Sequence, residues 1–214
     1  MLKQVRTIQR DSGDTLIEVL FAIMIFSLII VSALVLMNQG VAASQRSLAI
    51  TTVRQQMDGQ AETLRFLHES YVDAYRSGTT SYPAGSPAAE YYKIIQRAQA
   101  GGRTSASAFG GTASCRIPAD QGKDFILNPV LATLVTATTR PNVFQPASGY
   151  PQVTYTGGNV LNQSQGIWVE AVRSNVASSS AGFIDFHIRA CWDAPGVGVP
   201  LNLGTIVRLY EPRG

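Results

Sequence analysis

The chain opens on a short polar, basic stretch and then turns apolar without transition. Residues 19–37 are apolar except for Ser27 and Ser32. At about 1.5 Å per helical residue this run matches the roughly 30 Å hydrocarbon layer of a bilayer, so residues 16–37 are predicted to form one membrane-crossing helix. Beyond it the apolar positions become periodic. They recur at Ile50, Val53, Met57, Ala61, Leu64, Tyr71 and Tyr75, with Leu48, Phe66 and Leu67 widening the stripe and polar residues between. Gaps of three, four and seven draw one face of a helix. No Pro occurs before Pro83, so a single helix on the order of 95 Å long is predicted from Asp14 to near Ser77-Gly78. There Gly can cap the C-terminus. Gly40 and Gly59 are its candidate bends or melting points.

Residues 78–89 are rich in Gly, Thr, Ser, Pro and Ala and read as a loop. Residues 89–98 predict a short helix with Tyr91, Ile94, Ile95 and Ala98 on one side. The Gly/Ser/Ala-rich stretch 101–114 predicts a mobile surface loop. Phe125-Ile126-Leu127 reads as a strand, 130–135 as a strand or a helical turn, and 140–149, with Pro141 and Pro146, as a loop. The last third is β-rich: 153–155, 167–173, 183–192 and 205–210 are strand-like runs between turn residues. In the third of these Ile184, Phe186, Ile188, Ala190 and Trp192 alternate with Asp185, His187 and Arg189, the pattern of a half-buried antiparallel strand. The expected fold class is therefore α+β, a long N-terminal helix packed on the antiparallel β-sheet of a head. Its organisation is a leader at 1–13, the helix at 14–77 and the head at 78–214.

Charge changes this picture little. Charged residues make up 14% of the chain, against about 25% in soluble domains, which suits a surface that packs against neighbours or lies outside the cell. The net charge is +3. Lys3, Arg6 and Arg10 against Asp11 account for +2 of it, leaving +1 on residues 14–214. No Lys/Arg cluster supports nucleic-acid binding. The two cysteines, Cys115 and Cys191, are either a structural disulfide or two free thiols; an exported domain permits the bridge. With only two His beside them, no zinc site and no other cofactor is expected.

Glu18 changes the picture most. An acidic residue at the centre of a membrane helix costs about 2.5 to 3.5 kcal/mol on insertion scales, and such residues are by default functional. Here it follows Gly13-Asp14-Thr15-Leu16-Ile17 and precedes Val19. This stretch, with the basic leader before it and the apolar run after it, resembles the class III signal of type IV pilins and type II secretion pseudopilins. The resemblance covers residues 1–40 and says little about 78–214. It implies cleavage between Gly13 and Asp14 by a prepilin peptidase, N-methylation of Asp14, and pairing of Glu18 with a neighbouring subunit's N-terminal amine during assembly. It also implies a pilin-like fold of helix on antiparallel sheet, with the N-terminus inside and the head outside. Two departures narrow it. Asp14 stands where a large apolar residue, often Phe, is usual, and Val35 stands where many major pilins have a helix-kinking Pro. Both point to a minor pilin or pseudopilin.

The partners implied are other pilin subunits, the prepilin peptidase, a polytopic platform protein and an assembly ATPase. The implied location is the cytoplasmic membrane, crossed once, and then a filament at the cell surface. A secretory signal ending at Val41-Ala42-Ala43 and a plain membrane anchor leave Glu18 without a role. No nucleophile elbow, phosphate loop or HExxH motif is present in the sequence, so no enzyme is expected. Asp185, His187 and Arg189 read as an exposed strand face, and His68 and Glu69 as surface residues. A second reading makes the head an adhesin or a DNA-capturing tip, with loops 78–114 and 193–204 as its contact surface. A third is an anchored extracellular domain outside any filament.

Overall fold

The computed structural model describes residues 14–100, 115, 124–174, 182–194 and 199–212. The leader 1–13 and the Gly-rich stretch 101–114 lie outside them. Two compact units divide after Gln45. In the first, every side chain from Leu16 to Gln45 that follows the helix start is exposed.

Helix α1 runs from Asp14 to Arg76. Gly40 and Gly59 both lie inside it, so neither melts it. It ends as a Schellman cap. Thr79 N–H bonds to Ala74 O and Gly78 N–H to Tyr75 O, both at 3.0 Å, while Gly78 takes φ +77°, a left-handed conformation that favours Gly. Within the second unit Val53, Met57, Ala61, Leu64 and Leu67 are buried, and Ile50 and Tyr71 pack beside them. The predicted stripe is thus correct at its centre. Leu48 and Phe66 do not belong to it: they are 66% and 52% exposed, being set off the buried face by the helical repeat. The same face buries two polar residues, Gln60 and Thr63. Thr63 satisfies itself through Oγ1–H to Gly59 O at 2.7 Å.

Helix α2 spans Pro87–Ala100 and is longer than predicted. Ser86 caps it, its Oγ accepting from Ala89 N–H at 3.2 Å, and Pro87 follows at the first helical position, where its missing N–H costs nothing. Tyr91, Ile94, Ile95 and Ala98 are all buried. Burial of each of the larger apolar side chains is worth about 1.5 to 3 kcal/mol. The 78–114 stretch is therefore not simply a loop, because this apolar face needs a core.

Five strands form the main sheet: β1 (Asp124–Asn128), β2 (Thr133–Val135), β6 (Ile167–Arg173), β7 (Phe183–Trp192) and β8 (Leu201–Tyr210), in the order β2-β1-β6-β7-β8. All neighbours in it are antiparallel. β8 begins four residues before the predicted run, so Leu201 to Gly204 are strand and not loop. A second sheet, in the order β3-β5-β4, holds β3 (Phe144–Gln145), β4 (Gln152–Thr156) and β5 (Val160–Gln165). β3 pairs with β5 in parallel, inside a stretch predicted as loop. β5 reads Val-Leu-Asn-Gln-Ser-Gln, too polar for its sequence to announce a strand.

The long helix packs on the antiparallel sheet, giving the predicted α+β architecture. Ile184, Phe186, Ile188, Ala190 and Trp192 of β7 are buried, as their alternation requires, and share one core with Val53, Met57, Leu64 and α2. A side chain ties the layers together. Gln60 Nε2 donates to Leu127 O and Gln60 Oε1 accepts from Leu127 N–H, both at 2.9 Å. β2 receives a similar hold: Glu90 of α2 accepts from Leu134 N–H at 3.0 Å and from Lys93 Nζ at 2.6 Å.

Candidate functional site

The N-terminal part of α1 carries the residues singled out by sequence. Gly13 lies outside the described residues; Asp14 is the first residue of the helix. Glu18 lies one turn further on and is exposed, with Leu16, Ile17, Val19, Leu20 and Phe21 exposed around it. Asp14 and Glu18 stand four apart in the sequence. The two hydroxyls of the apolar run leave no unmet donor. Ser27 Oγ–H bonds to Ile23 O and Ser32 Oγ–H to Leu28 O, each at 2.7 Å. Such back-bonding makes serine compatible with hydrocarbon, where a lone hydroxyl would cost several kcal/mol. Glu18, an acceptor only when ionised, has no proton to give a helix carbonyl in this way. Among the described residues α1 is the one helix long and apolar enough to cross a membrane, with a mean hydropathy of 3.1 in its best window.

Cys115 and Cys191 form a disulfide, with Cα atoms 5.6 Å apart. Cys191 is fully buried, and its N–H bonds to Gly166 O at 2.8 Å. Gly166 holds φ +69°, and a Cβ there would meet Cys191 O at 2.5 Å. Only glycine lets the β5–β6 turn approach so closely.

Asp185, His187 and Arg189 are half-buried, not an exposed face, and Glu170 beside them is fully buried. In the register Glu170 lies opposite His187 and Trp168 opposite Arg189. Glu170 accepts from Trp168 Nε1–H at 3.1 Å, and its other oxygen is 3.6 Å from Arg189 Nε. A buried carboxylate flanked by donors in this way is a structural ion pair. Sequence reasoning missed it, although an acid inside Ile167-Trp168-Val169-Glu170-Ala171 was the signal. Asp185 instead pairs with Arg208 through two bonds of 2.7 and 2.8 Å, and this holds its carboxyl below the usual range.

His68 is also not a free surface residue. Its ring meets Tyr91 edge-on at 5.2 Å, and Nε2 lies 2.8 Å from Tyr210 O. Glu69 is exposed, as expected. Tyr71 packs against Tyr82 and Tyr91 at 5.4 Å; burial, reinforced by Tyr82, pushes its hydroxyl up to about 12. Burial raises Tyr91 further still. Among the described residues no group of three or more His, Cys, Asp or Glu could hold a metal ion.

Together these residues give an apolar helix with Glu18 near its start and a head held by a disulfide, the buried pair of Glu170 with Arg189 and the more exposed pair of Asp185 with Arg208. Compared with known proteins, the chain matches no family model, no curated protein and no solved structure.

Proposed function

We propose that the protein is a structural subunit, a minor pilin or pseudopilin, of a filament of the type IV pilus kind. The observation that carries this reading is Glu18, an exposed carboxylate amid an exposed apolar helix surface that runs from Leu16 to Met37. A helix with a charge among apolar residues gains most where a partner charge meets it. An α-amino group freed at Asp14 on a neighbouring subunit supplies that charge. The mechanism is helix exchange: residues 16–37 leave lipid for the packed core of the filament while Glu18 meets a neighbour's N-terminus. A prepilin peptidase cuts after Gly13, a platform protein and an ATPase drive extrusion, and the head is carried to the cell surface. Asp14 sets a second negative charge four residues before Glu18, which disfavours a repeated core position and suits a subunit at a tip or initiating complex.

Mass spectrometry of the mature N-terminus tests this. A start at Asp14, methylated or not, is the expected result. A start at Met1 or Ser44 returns the protein to the anchored or secreted classes.

A further inference from the structure

Among the described residues β8 is an edge of the five-stranded sheet, with β7 as its one neighbouring strand. It pairs with β7 without a bulge from Leu201↔Trp192 to Phe183↔Tyr210 and holds one charge, Arg208, which is engaged with Asp185. Natural sheets blunt such edges with Lys, Pro or bulges; β8 has none within its span. The ladder determines which of its backbone groups are spare. Glu211 N–H bonds to Gly182 O, and bonded pairs alternate along antiparallel strands. Odd-numbered residues of β8 therefore bond to β7, while Asn202, Gly204, Ile206, Arg208 and Tyr210 aim N–H and C=O outward. The first four are exposed. At the fifth, Tyr210 O is already held by His68.

We propose that this edge takes β8 of a second copy of the chain, antiparallel, about a two-fold axis at Thr205. The interaction goes beyond the filament reading and does not depend on it. With Thr205 opposite itself, Gly204 meets Ile206 and Asn202 meets Arg208, so every outward group between 202 and 208 finds its complement. Tyr210 then meets the second copy's Pro200. The one edge carbonyl already occupied faces the one residue with no N–H to offer. On the other face of the strand Leu201 meets Leu209 and Leu203 meets Val207, which continues the apolar stripe across the junction. Arg208 meets Asn202 and not its own copy, so no like charges oppose each other.

In this register Thr205 and its copy form a non-bonded pair with Cα atoms about 4.5 Å apart, within the range that a disulfide spans. Thr205→Cys in the full-length chain, oxidised with copper phenanthroline in cell membranes, is expected to give a reducible band at twice the chain mass. Ile206→Cys, set opposite Gly204, is expected to give at least several-fold less. Adding Ile206→Pro to Thr205→Cys removes an outward N–H that β7 does not use; it is expected to abolish the band while thiol labelling shows the Cys115–Cys191 bridge intact. The proposal is overturned by no dimer from Thr205→Cys, by equal bands at 205 and 206, by a band that survives Ile206→Pro, or by a cross-link to a different protein.

Discussion

Replacing Gln60 by Leu asks whether one helix side chain stands in for a missing strand. Among the described residues β1 pairs with β6 only at Asp124 and Phe125, so none of the described strands pairs with the side of Leu127 that faces away from β2. Gln60, 1% exposed, fills that gap with two hydrogen bonds of 2.9 Å. Leu is close to Gln in volume, so the substitution removes both bonds without opening a cavity. A buried donor or acceptor left unmet costs about 1 to 3 kcal/mol, or about 2 to 6 kcal/mol for the pair. The apolar side chain gives back about 1 to 2 kcal/mol. At the midpoints of these ranges the expected loss is about 2.5 kcal/mol, a large part of the 5 to 15 kcal/mol typical of a domain. Urea unfolding of the full chain in detergent micelles, followed by the fluorescence of buried Trp168 and Trp192, measures it. The midpoint should fall with the slope unchanged, and the Leu127 amide should lose exchange protection. Gln56→Leu, one turn away and only half-buried, serves as the control. A Gln60→Leu protein within about 0.5 kcal/mol of the parent refutes the strand-substitute argument.

Removing the bridge with Cys115→Ala and Cys191→Ala frees a closed segment with a sequence separation of 76, which on the chain-entropy model is worth about 4.5 kcal/mol; thermal unfolding with and without reductant checks it. Glu18→Gln keeps the helix and removes the charge, so membrane insertion should persist while recovery of the protein in sheared filaments falls at least tenfold. Alkali should destabilise the head. Tyr71 and Tyr91 titrate above the ordinary 10.0 when folded, so their contribution is complete below pH 10 and drains away as pH rises toward 12 and beyond, because the unfolded chain ionises first; denaturant midpoints across that window should fall. At the acid end, Asp185 is held low by Arg208. Its contribution is present above the ordinary 3.8 and is lost as pH falls through the lower folded value, an effect that Asp185→Asn should remove.

The helices were legible because their signals are local and periodic. Val53, Met57, Ala61 and Leu64 recur at the helical repeat whatever lies opposite them, and Gly78 marks the end because a left-handed cap needs no distant partner. The alternation of β7 was legible for the same reason. Glu18 stood out because a carboxylate is costly in an apolar run wherever the rest of the chain goes. Long-range pairing was not legible. That β3 pairs in parallel with β5, that Gln60 completes β1, that Glu170 lies buried against Arg189, and that His68 holds the edge carbonyl of Tyr210 all depend on segments tens to more than a hundred residues apart. Composition alone does not choose such partners. By itself the sequence determined an apolar N-terminal helix with a carboxylate, Glu18, near its start, and a β-rich head able to bridge its two cysteines. Only the tertiary structure decided which polar residues are buried, because burial of a polar group is permitted by the partner that meets it, and the partner is chosen by the fold.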